Sequence, residues 1–405
     1  MRIRSFRALR PAPDKVTQIA SLPYDVVKTE EARELARDNP LSLLHIVRAE
    51  IDFPPGTNPY SDAVYAKAVE NFKNLVDNGH LIRETEPSLY VYQQQMGDHV
   101  QQGLVALCHV EDYENNLIKK HEKTRPDKEN DRTRLTSDLS ANSGPVFLTY
   151  RDSEEVNAKV AKAVEAAPLY DFEASDGIRH TVWKIEEPDG LLESFGSVPC
   201  CYVADGHHRS ASAARVGRER RAANPQHTGE EDYNWFLSVI FPASNLKVLP
   251  YNRIVQDLNG LSEAEFLGKV RETCEVQETQ SDTPTKTGDV CMYVGGKWYL
   301  LSFGESDATN PVDRLDVSRL QSQILDPLLG IDDPRTSERI EFSGGIRGTS
   351  YLKKTVDSGE ATVAFSMYPV TTDQLMDISD AGEIMPPKST WFEPKLRSGL
   401  FIHTF

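Results

Sequence analysis

The chain has 405 residues, 62 of them acidic against 45 lysines and arginines, for a formal net charge of −17. That length suits two or three domains, and that charge excludes a general nucleic-acid or anionic-membrane binder, since either polyanion would be repelled at long range. No apolar run approaches the roughly 20 residues of a membrane span, and MRIRSFRALRPAPDK at the N-terminus lacks the apolar stretch of a signal peptide, so a cytoplasmic location is expected.

Helix and strand patterns alternate along the whole sequence. Residues 29–38 read as a first helix, and over 61–78 Val64, Ala68, Phe72, Leu75 and Val76 share one helical face. SLYVYQQQ and GLVALCHV, on either side of Gly97-Asp98, predict a hairpin. Residues 118–134, IKKHEKTRPDKENDRTR, gather His121, Glu122, Lys123 and Thr124 beside Asp131 and Arg132; by composition alone this is a solvated charged loop. A strand is expected over 144–151, a helix over 154–167 and a strand over 179–186. CYVA (201–204) is a short strand followed by DGHHR, and the next helix carries Arg215 to Arg221.

After a polar connector at 224–234, FLSVIFP and LKVLPYNRIV read as strands. Ser262 and Glu265 form a capping box that opens a helix. CMYVGGKWYLLSF reads as a hairpin turning at Gly295-Gly296. Further helices are expected near 317–329, 351–356 and TTDQLMDISDAG, strands at RIEFSG and ATVAFSMYPV, and a final strand at LRSGLFIHTF. The coarse division is 1–115, 116–260 and 261–405, a mixed α/β chain throughout. Cys108, Cys200, Cys201, Cys274 and Cys291 are odd in number and lack metal-site spacing, so they read as reduced and structural.

Asp205 to Arg209 carry the strongest chemical signal. A strand that enters a glycine turn and leaves as a helix frees several backbone N–H groups, which together with the helix dipole favour an anion. Gly206 permits close approach to a ligand. Arg209 offers a planar fork matched to phosphate oxygens, and His207 and His208 add N–H donors. Asp205 is the odd member, because a carboxylate repels phosphate; it needs a bridging Mg²⁺, a proton to accept or loop N–H groups to fix. A surface turn with a His-His pair is the plain alternative, and a transition-metal site lacks the other ligands.

Near the end, AGEIMPPKSTWFEPK places Lys388, Ser389 and Thr390 after two prolines that would stiffen the loop. An ordinary proline-rich surface loop is the alternative. Tyr24, Asp25, His45 and Arg48 are polar residues open to either a site or a structural role.

These segments, in this order, resemble the bacterial family termed domain of unknown function 1015, and more distantly the archaeal free-serine kinases, whose fold is of the ParB/sulfiredoxin type. The resemblance rests on His121-Glu122, on Asp205 to Arg209, and on Gly382-Glu383 with Pro387 to Thr390. It covers roughly residues 116–405 for the kinases, with residues 1–115 an N-terminal α/β extension shared only with the larger family.

The resemblance implies a ParB/sulfiredoxin-like nucleotide-binding core at 116–260 and a C-terminal α/β region that closes the site. It implies an enzyme that phosphorylates free serine, or a similar small hydroxylated metabolite, with ADP or ATP and Mg²⁺. Glu122 would be the general base. Asp205 would orient the hydroxyl or hold Mg²⁺, and Gly206, His207, His208 and Arg209 would bind phosphate. Lys388, Ser389 and Thr390 would close on the nucleotide, with His121, Lys123, Arg132 and Glu383 as additional site residues. The reverse activity, releasing phosphate from phosphoserine or passing it to a nucleotide, uses the same groups. A non-catalytic, nucleotide-gated ParB-like module is the other class, disfavoured by the charge. No nucleic-acid or membrane partner is expected, and the oligomeric state is open.

Overall fold

Strand His99–His109 organises the first of two compact units, 1–246 with 394–405. It is antiparallel to Leu89–Met96 on one side and to Trp235–Pro242 on the other, and also pairs with the short strand Ile3–Arg4. These residues belong to a computed structural model that describes all of residues 1–405. The full sheet is mixed. Its order is Ile118–Lys119, Cys201–Asp205, Val146–Tyr150, Trp235–Pro242, His99–His109, Leu89–Met96, Arg179–Ile185, Tyr170–Glu173. Val146–Tyr150 runs parallel to Trp235–Pro242 and antiparallel to Cys201–Asp205. Leu104, Ala106, Cys108, Leu148, Val203 and Ile240 are buried in one core cluster, as expected for strands covered on both faces.

A second cluster in this unit joins the N-terminal helices to Leu135, Leu139 and Ile402. Helix Asp62–Asp77 buries Val64, Ala68 and Leu75, as its periodicity predicts. The second unit, 247–393, is built on a six-stranded antiparallel sheet in the order Glu275–Thr279, Lys297–Ser302, Asp289–Val294, Val363–Met367, Tyr251–Val255, Ile340–Gly344. Its hairpin turns at Gly295 and Gly296, at φ +59° and +77°, the positive values that a primed turn requires of both central residues. The Ser262–Glu265 capping box is formed at the start of helix Glu263–Thr273.

The structure departs from the sequence reading at four places. Residues 126–139 form a helix, not a charged loop: Pro126 stands at its first turn, Asp127 and Glu129 favour the positive end of the dipole, and Leu135 and Leu139 anchor it in the second cluster. The final segment is a strap rather than a strand. Only His403–Thr404 pairs, with Ala141–Asn142, and single bridges hold Ile402 to Leu9 and Ser398 to Ser21. The helix expected over 317–329 is a short one, Asp316–Leu320, that continues as a wider turn, with Asp326 N–H donating to the Gln321 carbonyl at 3.0 Å. The three-way division also differs from the observed units. Strand His99–His109, from the expected N-terminal region, pairs with Trp235–Pro242 from the expected core, and residues 394–405 return to the first unit.

Candidate functional site

Strand Cys201–Asp205 is buried up to its last residue, and a bulge between Val203 and Asp205 turns the chain out of register with Val146–Tyr150. Gly206 follows at φ +94°, a conformation that other residues rarely adopt. Helix His207–Ala223 then begins, and the Ser210 N–H donates to the Gly206 carbonyl at 3.0 Å. The first-turn N–H groups before Ser210 have no acceptor within the helix and carry the positive end of its dipole. A glycine turn between a buried strand and a 17-residue helix is therefore present, as the sequence predicts.

Asp205 has a structural reason to be there. Arg209 donates to its Oδ2 at 3.1 Å, and Lys395 Nζ lies 4.0 Å from its Oδ1. Burial on its own would raise the Asp205 pKa; Lys395, Arg209 and His207 outweigh it and hold the carboxyl at about 2. Asp205 is thus an anion that spaces two cations, Arg209 and Lys395. Arg209 also bonds the Pro145 carbonyl and lies 3.7 Å from the exposed carboxylate of Asp25.

The predicted base is brought to this turn. Glu122 Oε2 lies 3.9 Å from His207 Nδ1, and the Glu122 side chain is 37% exposed, so solvent or a substrate can reach it. Behind it, His121 is fully buried, its ring perpendicular to that of His207 at 4.5 Å between centroids. Burial drives His121 down to about 3, with His207 adding to the effect. Burial likewise lowers His207 to about 4, against the pull of Asp205. Both rings are neutral at pH 7. Neither nitrogen of His121, nor Nε2 of His207, has a hydrogen-bond partner. His208 faces the other way, accepting the Arg125 N–H at Nε2 at 3.0 Å and so pinning the entry to helix Pro126–Leu139; burial lowers its pKa also.

Of the additional residues, Lys123 is exposed to solvent. Arg132 pairs with Asp131 at 2.6 Å, covers the Tyr24 ring at 4.0 Å and donates to the Val47 carbonyl at 3.2 Å. It lines, with Tyr24, Asn142 and Arg209, a cavity of about 30 Å³, room for a water rather than a substrate. Tyr24 and Asp25 adjoin Arg209, whereas His45 and Arg48 serve elsewhere, paired with Asp52 at 2.5 Å and Glu50 at 3.3 Å.

Lys388, Ser389, Thr390 and Glu383 belong to the second unit. Lys388 is held at φ +57°, unusual for a lysine. Its carbonyl accepts from Arg253 at 3.2 Å, and its ammonium donates to the Tyr251 hydroxyl at 3.4 Å. The buried Ser389 hydroxyl donates to the Pro386 carbonyl at 2.7 Å, and Thr390 is half-buried beside it. Gly382 and Glu383 end helix Thr372–Asp380: Gly382 takes φ +72°, and the Glu383 N–H donates to the Ile378 carbonyl at 3.0 Å.

No cluster of three or more His, Cys, Asp or Glu side chains is arranged to hold a metal ion. Asp205, the carboxylate expected to hold Mg²⁺, is bonded by Arg209 and approached by Lys395, two cations that oppose a metal ion at the same carboxylate.

Residues 3–318 match the family described as protein of unknown function, DUF1015. The chain belongs to the DUF1015 family. No curated protein matches this DUF1015 member. Among solved structures it is similar to a free serine kinase in complex with AMP, at 14% identity over 73% of this chain and 91% of that one, with a TM-score of 0.38. A conserved hypothetical protein from Pyrococcus furiosus is similar at 14% identity, covering 73% and 94%, with a TM-score of 0.37. SbnI from Staphylococcus aureus, truncated at its C-terminus, is similar at 12% identity, covering 74% and 87%, with a TM-score of 0.40. Likenesses of this size carry no argument about activity, and the functional reading stands on the DUF1015 site itself.

The approach of Lys395 to Asp205 is not foreseen from the sequence. The only local sign of Lys395 was its place in FEPK, directly after the Lys388–Thr390 loop.

Proposed function

We propose that this protein is a nucleotide-dependent phosphotransferase that phosphorylates free serine or a similar small hydroxylated metabolite. The observation that carries the reading is the position of the Glu122 carboxylate, 3.9 Å from His207 Nδ1, at a glycine-initiated helix start that also holds Arg209. Transfer of a phosphoryl group to an alcohol needs a positioned base and fixed positive charge around the moving group. Glu122 supplies the first, and the N–H groups with Arg209 supply the second.

In this scheme the substrate oxygen forms the new P–O bond while its proton passes to Glu122. The bond from the terminal phosphorus to the bridging oxygen of the nucleotide breaks, and that oxygen departs with the electron pair towards the cationic turn. Neutral His207 sits beside Glu122 without competing for the positive charge, and Asp205 keeps Arg209 aimed along the turn. Mg²⁺, when bound with the nucleotide, would add charge neutralisation at the phosphates. One transition state serves both directions, so phosphate release from phosphoserine would use the same groups.

The test is incubation of purified protein with Mg²⁺, serine and either ADP or ATP, followed by assay of phosphoserine, and the reverse with phosphoserine and nucleotide. Formation of phosphoserine supports the reading. Nucleotide hydrolysis stimulated by DNA, with no metabolite phosphorylated, contradicts it and favours a nucleotide-gated switch.

A further inference from the structure

We infer that Asp25 recognises the ammonium group of the substrate, so that the molecule taken by this site is an amino acid bearing a hydroxyl. This deepens the phosphotransferase reading and rests on it for the fate of that hydroxyl.

A loop that is otherwise tied down carries Asp25 to the Gly206 turn. Pro23, Tyr24 and Val27 are buried, the Val26 N–H donates to the Pro23 carbonyl at 3.3 Å, and Arg48 donates to the Val27 carbonyl at 2.7 Å. The Arg132 guanidinium covers the Tyr24 ring at 4.0 Å, and Ser21 exchanges backbone hydrogen bonds with Ser398 at 3.1 and 2.9 Å. Among these held residues the Asp25 side chain remains 31% exposed.

Arg209 does not need this carboxylate. It gives hydrogen bonds to Asp205, at 3.1 Å, and to the Pro145 carbonyl, whereas Asp25 Oδ2 stands 3.7 Å from the guanidinium, beyond hydrogen-bond reach. Asp205 already answers the charge of Arg209. Asp25 brings a second negative charge to the same cation, with acceptor positions that no donor of the chain fills. Beside a phosphate such a group is repulsive; its open lone pairs suit a positively charged donor.

Glu122 has the same character. It is 37% exposed, and its nearest basic neighbour, His207 Nδ1, is 3.9 Å away. His207 itself is 5% exposed and unpartnered at Nε2, a buried polar atom that a bound molecule can satisfy. Both carboxylates bear on one ring: burial lowers the His208 pKa, and Asp25, followed by Glu122, opposes it. Two unfilled carboxylates therefore flank His208. A serine-like molecule carries two donors on adjacent carbons, a hydroxyl for Glu122 and an ammonium for Asp25, and the second contact is a charge-assisted hydrogen bond.

The test compares L-serine with 3-hydroxypropionate, which keeps the hydroxyl and the carboxylate and lacks the ammonium. Each, and ADP, is titrated calorimetrically into wild type and Asp25→Asn, alongside thermal unfolding of both proteins. Wild type should prefer serine. Asp25→Asn should weaken serine about 10–100-fold, as loss of a hydrogen bond between charged groups does, and bind 3-hydroxypropionate and ADP no more weakly than wild type. Equal weakening of serine and 3-hydroxypropionate would make Asp25 structural and overturn the inference. Serine affinity within about two-fold of wild type, or a wild type that binds no serine or prefers 3-hydroxypropionate, would overturn it too. If Asp25→Asn does not fold, Asp25→Glu carries the test, because it keeps the charge and moves it by one methylene. A changed ratio of serine to 3-hydroxypropionate affinity at unchanged stability then supports the role, and an unchanged ratio refutes it. Asp25-dependent serine binding without phosphoserine formation would remove the kinase reading and leave the ammonium site in place. Phosphoserine formation by Asp25→Asn at full rate and unaltered KM would do the reverse.

Discussion

Substituting Gly206 by alanine probes the turn most sharply. The residue sits at φ +94°, and a Cβ there would meet the Arg209 guanidinium at 3.1 Å from both Cζ and Nε. The backbone strain is worth about 1–2 kcal/mol, and the guanidinium must shift by some tenths of an ångström, which weakens its 3.1 Å bond to Asp205. The expected loss of stability is about 2 kcal/mol in all, read from urea unfolding, with ADP affinity reduced about ten-fold or more. Gly217→Ala is the matched control in the same helix. Its Cβ would meet the Tyr233 carbonyl at 2.9 Å, so it should destabilise the fold while leaving ADP affinity of the folded protein unchanged. Gly206→Ala with stability within about 0.5 kcal/mol of wild type and unaltered ADP binding would refute the reasoning from this turn.

The buried neutral histidines predict acid sensitivity. His121 and His207 are held at about 3 and about 4 in the fold against an ordinary 6.5, so between those values the unfolded chain binds more protons. Stability is full above pH 6.5 and falls as pH drops, by up to about 1.4 kcal/mol per pH unit for each ring. Equal urea midpoints at pH 8 and pH 5 would contradict this, and His121→Phe should flatten the dependence. Lys388→Gly should relieve the left-handed backbone and raise stability by about 1 kcal/mol while lowering phosphotransfer; a drop in melting temperature would show that the lysine side chain stabilises the loop instead.

Local chemistry made the Asp205–Arg209 turn legible: an apolar strand, a glycine and a helix start are neighbours in the sequence, and each follows from short-range rules. The position of Glu122 beside this turn, 3.9 Å from His207, accords with the ordered motifs that carry the resemblance. What was not legible came from distance. Arg209, which bonds Asp205, lies in the same motif, but Lys395 is far downstream, and nothing near it announces its approach to Asp205. Helix Pro126–Leu139 escaped because its periodic signal is thin: its buried face includes Asp131 and Thr133 as well as Leu135 and Leu139. Asp131 could be buried only because Tyr65 donates to it at 2.7 Å and Arg132 pairs with it, partners that composition does not reveal. The return of residues 394–405 to the first unit is likewise set by buried glutamines and single bridges, not by a change in sequence character.

The most direct measurement is the rate of phosphoserine formation by Glu122→Gln relative to wild type, with ADP affinity determined on the same samples. Removal of the proposed base should lower turnover about 10²–10⁴-fold and leave nucleotide binding nearly intact, because the proposed phosphate contacts come from other residues. Full turnover by Glu122→Gln would show that the carboxylate beside His207 is not the proton acceptor.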